Sequence, residues 1–387
     1  MKCIACVLVI PVLMSLLAYR YIQPMPSGAR EPRNQIITLG LFRVLDDVIS
    51  ILSSFGYSKT ELFKNAFENN PRPEPDPRVL STDEYFDGIK VRIYRPLASK
   101  DKVLPAMVYY HGGGWIYMSV NSYDPLTTAI SLKANIVVIS VEYRLMPDYR
   151  FPRQFEDCLE ATEYVFRNAK KYLIDPSRIS IGGDSAGGNL AAAVGLMFSQ
   201  EPKPNLAKIK VQVLLYPVLQ AFDFNLPSYR EYADVSGVSY LNRVDMINYI
   251  NMYGFQDQGN MDAISKTNTC LLPGDLQKRG GANLKQSEPN TTLSDAVHDN
   301  VINPYAWPLM ATDDALRKLP KTYVVVTEYD PLRDEGLIFA ERLRRLVPEN
   351  IELSYLAGLE HGIFSLYNYK SQPSTMDTLV DYLNRNL

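Results

Sequence analysis

The sequence predicts an α/β fold built on a mostly parallel sheet that is covered by helices on both faces. Short apolar runs typical of buried strands alternate with longer stretches of helical periodicity along most of the chain. This alternation is typical of parallel sheets, because each strand is followed by a helix that returns the chain to the same end of the sheet. With 387 residues, 46% of them hydrophobic, the chain can bury a large core.

The alternating segments are assigned in order along the chain. The strands are predicted at residues 89–94, 106–110, 136–141, 178–182, 211–216, 323–327 and 352–355. The helices of this part are predicted at residues 153–171, 185–199, 332–346 and 374–386.

Two segments stand outside this alternation. Residues 223–302 begin with aromatic side chains and then become polar. Residues 34–54 predict an amphipathic helix, because apolar side chains recur there at helical spacing: Ile36, Leu39, Phe42, Leu45, Val48, Ile49 and Leu52.

Ser185 is the candidate nucleophile. It lies in a Gly-Asp-Ser-Ala-Gly motif at residues 183–187, between an apolar strand and a helix-forming stretch. A Gly-x-Ser-x-Gly motif at such a junction forms a tight, strained turn that pushes the serine hydroxyl out above the sheet. The alternative is a glycine-rich turn with a structural serine, and the flanking strand and helix favour the catalytic interpretation.

A second motif, His-Gly-Gly-Gly-Trp at residues 111–115, follows the strand predicted at residues 106–110. Attack on an ester or amide carbonyl places negative charge on its oxygen, and preorganised N–H donors stabilise that charge. Consecutive glycines let the backbone bring several N–H groups close to a ligand. The expected donors are the backbone N–H groups of Gly112, Gly113 and Ala186, whereas His111 is expected to be structural.

A nucleophilic serine needs a general base, and the chain contains three histidines. His111 belongs to the glycine loop, and His298 lies in a polar stretch where a solvated surface histidine is expected. His361 follows the strand predicted at residues 352–355, which is the position of the base in α/β-hydrolases. His361 is therefore the candidate base.

The acid that orients this histidine is expected between the serine and the histidine in sequence. Asp330 follows a buried strand and precedes Pro331, so its simplest role is to cap the next helix, with proline at the first helical position. That role is compatible with a contact to His361, and Asp330 is the preferred acid. Asp334, one helical turn further along, is the alternative.

Four motifs together resemble the hormone-sensitive-lipase branch of the α/β-hydrolases. They are His-Gly-Gly-Gly-Trp at 111–115, Tyr-Arg-Leu-Met-Pro-Asp at 143–148, Gly-Asp-Ser-Ala-Gly-Gly-Asn at 183–189 and Asp-Pro-Leu-Arg-Asp-Glu-Gly at 330–336. With the apolar amino-terminal segment added, the chain is most similar to the arylacetamide deacetylase and neutral cholesterol ester hydrolase group. Two departures bear on substrate fit: Met-Pro-Asp at 146–148 replaces the usual Ala-Pro-Glu, and Ile363 stands where phenylalanine is usual.

The resemblance implies an α/β-hydrolase catalytic domain formed by residues 76–222 and 303–387. Residues 23–75 and the insertion at residues 223–302 would form a cap over Ser185. Part of residues 278–300 is a candidate mobile loop. The aromatic side chains of the insertion are expected to pack within the cap more than to contact substrate: Tyr229, Tyr232, Tyr240, Tyr249, Tyr253 and Phe255.

The amino terminus contains an apolar run at residues 3–19, between Lys2 and Arg20. At 1.5 Å per residue a helix of this length spans about 25 Å, close to the roughly 30 Å hydrocarbon core of a bilayer. Residues 1–22 are therefore predicted to be a signal-anchor. A cleaved signal peptide is less favoured, because Leu16 is bulky where cleavage requires a small residue. The resemblance implies a single-pass protein of the endoplasmic reticulum membrane with a luminal catalytic domain.

Several remaining features limit the classes of ligand and modification. Asn290 begins an Asn-Thr-Thr sequon and is a candidate glycosylation site if the domain is luminal. The four cysteines support no disulfide assignment, and no Cys/His spacing predicts a metal site. No glycine-rich fingerprint predicts a nucleotide, so no cofactor is expected. The net charge of −3 and the absence of a basic stripe argue against a nucleic-acid partner.

The sequence therefore predicts a membrane-anchored serine hydrolase that cleaves lipophilic carboxylic esters or aryl amides through an acyl-enzyme on Ser185. One alternative is a soluble, secreted esterase whose amino terminus is cleaved. The other is a non-enzymatic binding or adhesion protein on the same fold. Proteins of that kind typically lose the serine or the histidine, whereas Ser185 and His361 are both present in this chain.

Overall fold

An eight-stranded sheet forms the centre of the computed structural model, which describes residues 20–68, 71–201, 203–231, 239, 241–255, 302–365 and 371–387. The strands lie side by side in the order β1-β2-β4-β3-β5-β6-β7-β8. They are β1 Val79–Phe86, β2 Ile89–Pro96, β3 Leu104–Tyr110, β4 Val137–Val141, β5 Ile174–Asp184, β6 Val211–Leu215, β7 Lys321–Tyr329 and β8 Ile351–Glu360.

The sheet is mostly parallel, as predicted. β1 and β2 pair antiparallel, β2 pairs antiparallel with β4, and every pairing from β4 to β8 is parallel. β4 and β6 are buried at every position, because helices cover both faces of a parallel sheet. β1 was not predicted, because only its two end residues, Val79 and Phe86, are buried and the rest of this edge strand is polar or exposed.

Helices surround the sheet, and they include every helix predicted from the sequence. Among the described residues the α-helices are α1 Pro32–Ser54, α2 Lys59–Glu68, α3 Val120–Ala134, α4 Arg153–Asn168, α5 Ala186–Gln200, α6 Pro227–Glu231, α7 Arg243–Gly254, α8 Asp313–Leu316, α9 Arg333–Leu346 and α10 Gln372–Asn386. α3 was not predicted, because Pro125 and several polar residues mask its periodicity. The hydroxyl of Ser119 begins α3 by accepting the Ser122 N–H, and Asn135 ends it in a left-handed conformation.

Two hydrophobic cores lie on opposite faces of the sheet. Strand residues alternate between them: Val324 and Val326 of β7 belong to one core, and Tyr323 and Val325 belong to the other. The first core includes buried side chains of α4, α5 and α9, and the second includes those of α3 and α10. β5, β7 and β8 lie between these two cores, and the candidate catalytic residues follow the carboxyl ends of these strands.

Several sequence predictions concern residues outside the described part of the chain. They are the apolar run at residues 3–19, His298, Asn290 and most of the 223–302 insertion. Among the described helices, none combines the length and the apolar character needed to cross a membrane. The division into a catalytic domain and a cap stays a prediction.

Candidate active site

Ser185 occupies the sharp turn between β5 and α5. Its backbone has φ 56° and ψ −121°, a conformation that a non-glycine residue adopts only under strain. The surrounding structure holds this conformation: the Ser185 N–H donates to the carbonyl of Leu215 at 2.9 Å. Gly187 is required beside it, because a Cβ there would overlap the carbonyl oxygen of Tyr110. The turn therefore presents the serine side chain to the neighbouring cavity.

His361 and Asp330 are brought together by the pairing of two parallel strands. In the register of β7 with β8, Tyr329 lies opposite Glu360, so the residues that follow them emerge side by side. The Nδ1 atom of His361 lies 2.8 Å from Oδ2 of Asp330, and both side chains are buried. When Nδ1–H donates to this carboxylate, Nε2 becomes the basic nitrogen of the ring.

The two candidate acids have different partners. Asp330 also accepts hydrogen bonds from the Thr327 hydroxyl at 3.1 Å and from the Leu332 N–H at 2.8 Å. Asp334 instead accepts the N–H of Ser228 at 2.8 Å and faces Arg333. The structure thus places Asp330, and not Asp334, against His361.

Asp330 is not the residue that caps the next helix, contrary to the role expected from the sequence. α9 begins at Arg333, two residues later than a cap at Asp330 requires. Asp330 instead closes a short turn by accepting the N–H two residues ahead, at Leu332. Aspartate side chains form such turns readily, and sequence spacing does not distinguish them from a helix cap.

The glycine loop differs from the prediction in its first donor. The Gly112 N–H already donates to Oδ1 of Asp184 at 3.0 Å, so it is not directed at a substrate. Gly113 and Gly114 line the cavity, with φ values of 106° and 62°. Within the described residues, neither of their N–H groups donates a hydrogen bond. The Ala186 N–H is the first of α5 and therefore has no acceptor inside its own helix.

Asp184 connects the nucleophile turn to this loop, and its role was not predicted. It is the last residue of β5, and it is buried. Besides the Gly112 N–H, it accepts hydrogen bonds from the hydroxyls of Tyr109 at 2.9 Å and Tyr123 at 2.7 Å. Burial raises the pKa of Asp184 to about 6, although these donors oppose the shift.

His111 is enclosed in the same region. Burial lowers the pKa of His111 to about 4, so its ring is neutral at pH 7. Its Nδ1 lies 2.8 Å from the Gly112 carbonyl oxygen, and its ring stacks on Tyr143 with a centroid distance of 4.3 Å. Tyr143 in turn donates its hydroxyl proton to the carbonyl of His111 at 2.7 Å. His111 therefore helps to hold the glycine loop.

Glu335 is another buried carboxylate, five residues after Asp330 in sequence. It accepts hydrogen bonds from the Leu219 N–H at 2.7 Å, from the Gln220 amide at 2.9 Å and from the Tyr229 hydroxyl at 2.7 Å. Burial raises the pKa of Glu335 to about 7. Because Glu335 belongs to α9, these bonds tie the segment that follows β6 to the helix after Asp330.

The cavity beside Ser185 has a volume of about 640 Å³, a size typical of small-molecule sites. His361 also lines it, together with charged side chains that include Arg43 and Asp46. The apolar part of the lining comes largely from α1, α2, α7 and the segment after the glycine loop: Leu39, Phe42, Phe63, Tyr117, Met118, Met246 and Tyr249.

Among the aromatic residues of the insertion, some pack in the hydrophobic core and one lines the cavity. Tyr249 lines the cavity, whereas Tyr229, Tyr253 and Phe255 are buried in the core. Tyr253, for example, stacks on Trp115 with a centroid distance of 4.0 Å. Tyr232 and Tyr240 lie outside the described residues.

Comparisons with known proteins agree with this geometry. The chain matches the family model of the alpha/beta hydrolase fold over residues 107–270 and 284–365. It is 34% identical to neutral cholesterol ester hydrolase 1 of Rattus norvegicus over 99% of both chains. It is 33% identical to arylacetamide deacetylase of Bos taurus over 96% of both chains.

The similarity extends to solved structures of esterases. One of two fungal esterases from Rhizomucor miehei has a TM-score of 0.67 and 28% identity, covering 85% of this chain and 91% of the esterase. An esterase of Pyrobaculum calidifontis has a TM-score of 0.63 and 26% identity, covering 89% and 92%. The predicted fold is confirmed. The chain therefore belongs to the α/β-hydrolase family, in the group of carboxylesterases and deacetylases that includes neutral cholesterol ester hydrolase and arylacetamide deacetylase.

Proposed function

We propose that this protein hydrolyses carboxylic esters or aryl amides in two steps, through an acyl-enzyme on Ser185. The observation that carries the proposal is the 2.8 Å contact between His361 and Asp330, in a cavity that Ser185 also lines. A strained serine, a histidine and a buried acid from three different segments form the constellation of a serine hydrolase.

In the first step, Oγ of Ser185 attacks the carbonyl carbon of the substrate while Nε2 of His361 accepts the Oγ proton. Asp330 keeps the ring in the required tautomer and stabilises its charged form. The bond to the leaving alcohol or amine then breaks, and His361 returns the proton to it. The carbonyl oxygen carries negative charge before this bond breaks, and the N–H groups of Gly113, Gly114 and Ala186 are the proposed donors.

In the second step, water attacks the acyl carbonyl of the ester on Ser185. His361 accepts a proton from this water, and the same N–H groups stabilise the second oxyanion. The bond to Oγ breaks, Ser185 recovers its proton from His361, and the carboxylic acid leaves. Both reaction steps can be completed with groups of the chain, the substrate and water.

The substrate class follows from the cavity and from the relatives. The relatives are named for cholesterol esters and for arylacetamides. A cavity of about 640 Å³ with many aromatic and aliphatic lining residues suits an apolar acyl or aryl group. We therefore propose lipophilic esters or aryl amides with short or medium acyl groups as substrates.

Replacement of Ser185 tests the mechanism. Ser185→Ala is expected to lower kcat on a soluble aryl ester by about 10⁶-fold, the order seen when the nucleophile of a serine hydrolase is removed. It should also abolish labelling by a fluorophosphonate probe. Ser374→Ala, at an exposed position of α10, is the control and should change neither result. Retained turnover or labelling in Ser185→Ala would refute the proposed nucleophile.

We also propose that residues 1–22 anchor the protein in the endoplasmic reticulum membrane with the catalytic domain in the lumen. Residues 23–75 and 223–302 would form the cap, and Asn290 would carry a glycan. The apolar run at residues 3–19 supports the anchor, and the resemblance of the four sequence motifs implies the luminal orientation. Alkaline carbonate extraction of membranes is expected to leave the full chain in the pellet, and its release into the supernatant would contradict the anchor.

A further inference from the structure

Helix α1 (Pro32–Ser54) has one face toward the cavity. Leu39 and Ile49 are almost fully buried, and Leu39, Phe42 and Asp46 line the cavity that contains Ser185. Leu39, Phe42 and Ile49 belong to the apolar set that the helical spacing predicts, whereas Val48 and Leu52 of that set are exposed. α1 therefore forms part of the wall between the substrate and the outside of the protein.

The opposite face of α1 is also apolar, although it is exposed. From residue 37 to residue 51 the exposed positions carry no charge, and all but Ser50 are aliphatic: Ile37, Leu41, Val44, Val48 and Ile51. Their spacing of three and four residues aligns them in one stripe along the helix. Leu41 is 65% exposed, and Phe55, just beyond the helix, is 76% exposed. We call these five aliphatic residues and Phe55 the outer stripe.

A water-facing helix ordinarily turns polar residues outward, so the outer stripe calls for a partner. α1 cannot bury it by rotating, because the buried Gln35 amide bonds to the carbonyl of Gly358 at 3.0 Å and to the carboxylate of Glu360. The Arg30 N–H also bonds to Gly358, at 2.9 Å. These contacts fix α1 to the end of β8, directly before His361.

The chain itself indicates what covers the outer stripe. Arg20 forms an ion pair of 2.6 Å with Asp47, in the second half of α1, and the Tyr21 hydroxyl bonds to the same carboxylate at 2.9 Å. The apolar run at residues 3–19 therefore joins the described structure beside α1. A bilayer that receives this run lies next to the outer stripe. The exposed Arg30 and Arg33 at the start of α1 suit the headgroup layer.

We propose that the outer stripe is a bilayer-docking surface. α1 would lie along the membrane interface with these side chains in the acyl-chain boundary, as amphipathic interfacial helices do. Its inner face would then line the cavity. The bilayer and the cavity that contains Ser185 would be separated by this one helix, so a substrate dissolved in the bilayer would have a short route to Ser185. The docking surface goes beyond the proposed anchor, which could hold the protein on a membrane without any contact by α1.

Fluorescence quenching tests the contact in the full chain. Val48→Trp, reconstituted into phosphatidylcholine vesicles with brominated acyl chains, is expected to lose at least half of its added fluorescence. The native Trp115 and Trp307 are fully buried and provide a constant background. Tyr85→Trp, on the exposed edge strand β1, is the matched control and should not be quenched.

The remaining outcomes of this experiment overturn the proposal. An unquenched Val48→Trp with blue-shifted emission would mean that another part of this chain or a second copy covers the stripe. An unquenched, red-shifted emission would mean that water covers it, and the anchor alone would hold the protein. Failure of the chain to float with vesicles would refute the anchor and the docking surface together, and activity on a soluble ester would show separately whether the proposed hydrolase is intact.

A charge substitution tests the consequence for substrate entry. The double variant Leu41→Glu, Val48→Glu is expected to lower turnover of an ester dissolved in vesicles at least fivefold. Its kcat/KM on a soluble aryl ester should stay within twofold of the wild type, because both side chains point away from the cavity. Leu80→Glu, at an exposed position of β1, is the control. Equal losses on both substrates, or no loss on either, would overturn the proposed route.

Discussion

Two groups of residues lie around the cavity, and they contribute different kinds of contact. Ser185, Asp330 and His361 follow β5, β7 and β8, and directional hydrogen bonds such as the 2.8 Å bond between His361 and Asp330 set their positions. The residues from α1, α2 and α7 line the cavity largely through apolar surfaces. Hydrogen bonds depend steeply on geometry, whereas apolar burial is roughly proportional to area. Single-atom changes should therefore stop the chemistry in the first group and only adjust substrate range in the second.

After Ser185→Ala, Asp330→Asn should give the largest effect in this comparison. An amide cannot hold His361 in the required tautomer, so kcat is expected to fall about 10⁴-fold with little change in KM. Asp334→Asn is the matched control and should cost less than about tenfold, because Asp334 bonds to Ser228 and Arg333 instead. Steady-state kinetics on a soluble ester measures both. A reversal of the two results would identify Asp334 as the acid.

Asp184→Asn should have the next largest effect on catalysis. The carboxylate accepts three hydrogen bonds through both of its oxygens, and an amide has only one accepting oxygen, so it cannot keep all three bonds. The glycine loop should then shift, and kcat is expected to fall about 10-fold to 100-fold while KM changes little. Asp175→Asn, at the opposite end of β5 from Asp184, is the control. An equal loss in both variants, or a change confined to KM, would contradict a positioning role for Asp184.

The pH dependence of folding provides a second measurement on the same variant. The pKa of Asp184 is about 6 in the folded protein, above its ordinary value of 3.8. The folded state therefore holds this proton more tightly than the unfolded state does. The contribution of Asp184 to wild-type stability should fall as pH rises from about 4 to about 6, by on the order of 3 kcal/mol. Asp184→Asn should lack this component, and identical urea-unfolding profiles against pH for the two proteins would refute it.

A substitution among the lining residues of α1, α2 and α7 should have the smallest effect, and the size of that effect should depend on the substrate. Phe63→Ala removes a ring of α2 that lines the cavity and lies 5.8 Å from the Tyr117 ring. The KM for esters with medium acyl chains is expected to rise about threefold to tenfold, while acetyl esters change less than twofold. Tyr85→Ala, at an exposed position, is the control. A large loss of kcat on acetyl esters would show that the two groups are not separable.

Local sequence was enough to predict the strand-turn-helix at Ser185 and the residues that follow β7 and β8. The motif at residues 183–187 needs only its own glycines and the flanking strand and helix, so its conformation is encoded within a few residues. Asp330 and His361 are 31 residues apart, yet parallel pairing of equal strand ends brings them together. The α/β-hydrolase fold was predictable for the same reason, since alternating periodicity is a local property.

The tertiary structure alone decided which backbone donors face the cavity and which side of α1 is left exposed. Gly112 is 72 residues from Asp184, and only the packing of β3 against β5 shows that its N–H is already paired. The periodicity of α1 indicates an apolar face, but both of its faces are apolar, and the contacts of Gln35 with β8 select the one that is buried. Hydrogen-bond partners and burial depend on residues that are distant in sequence. The spacing of residues within one segment therefore does not predict them.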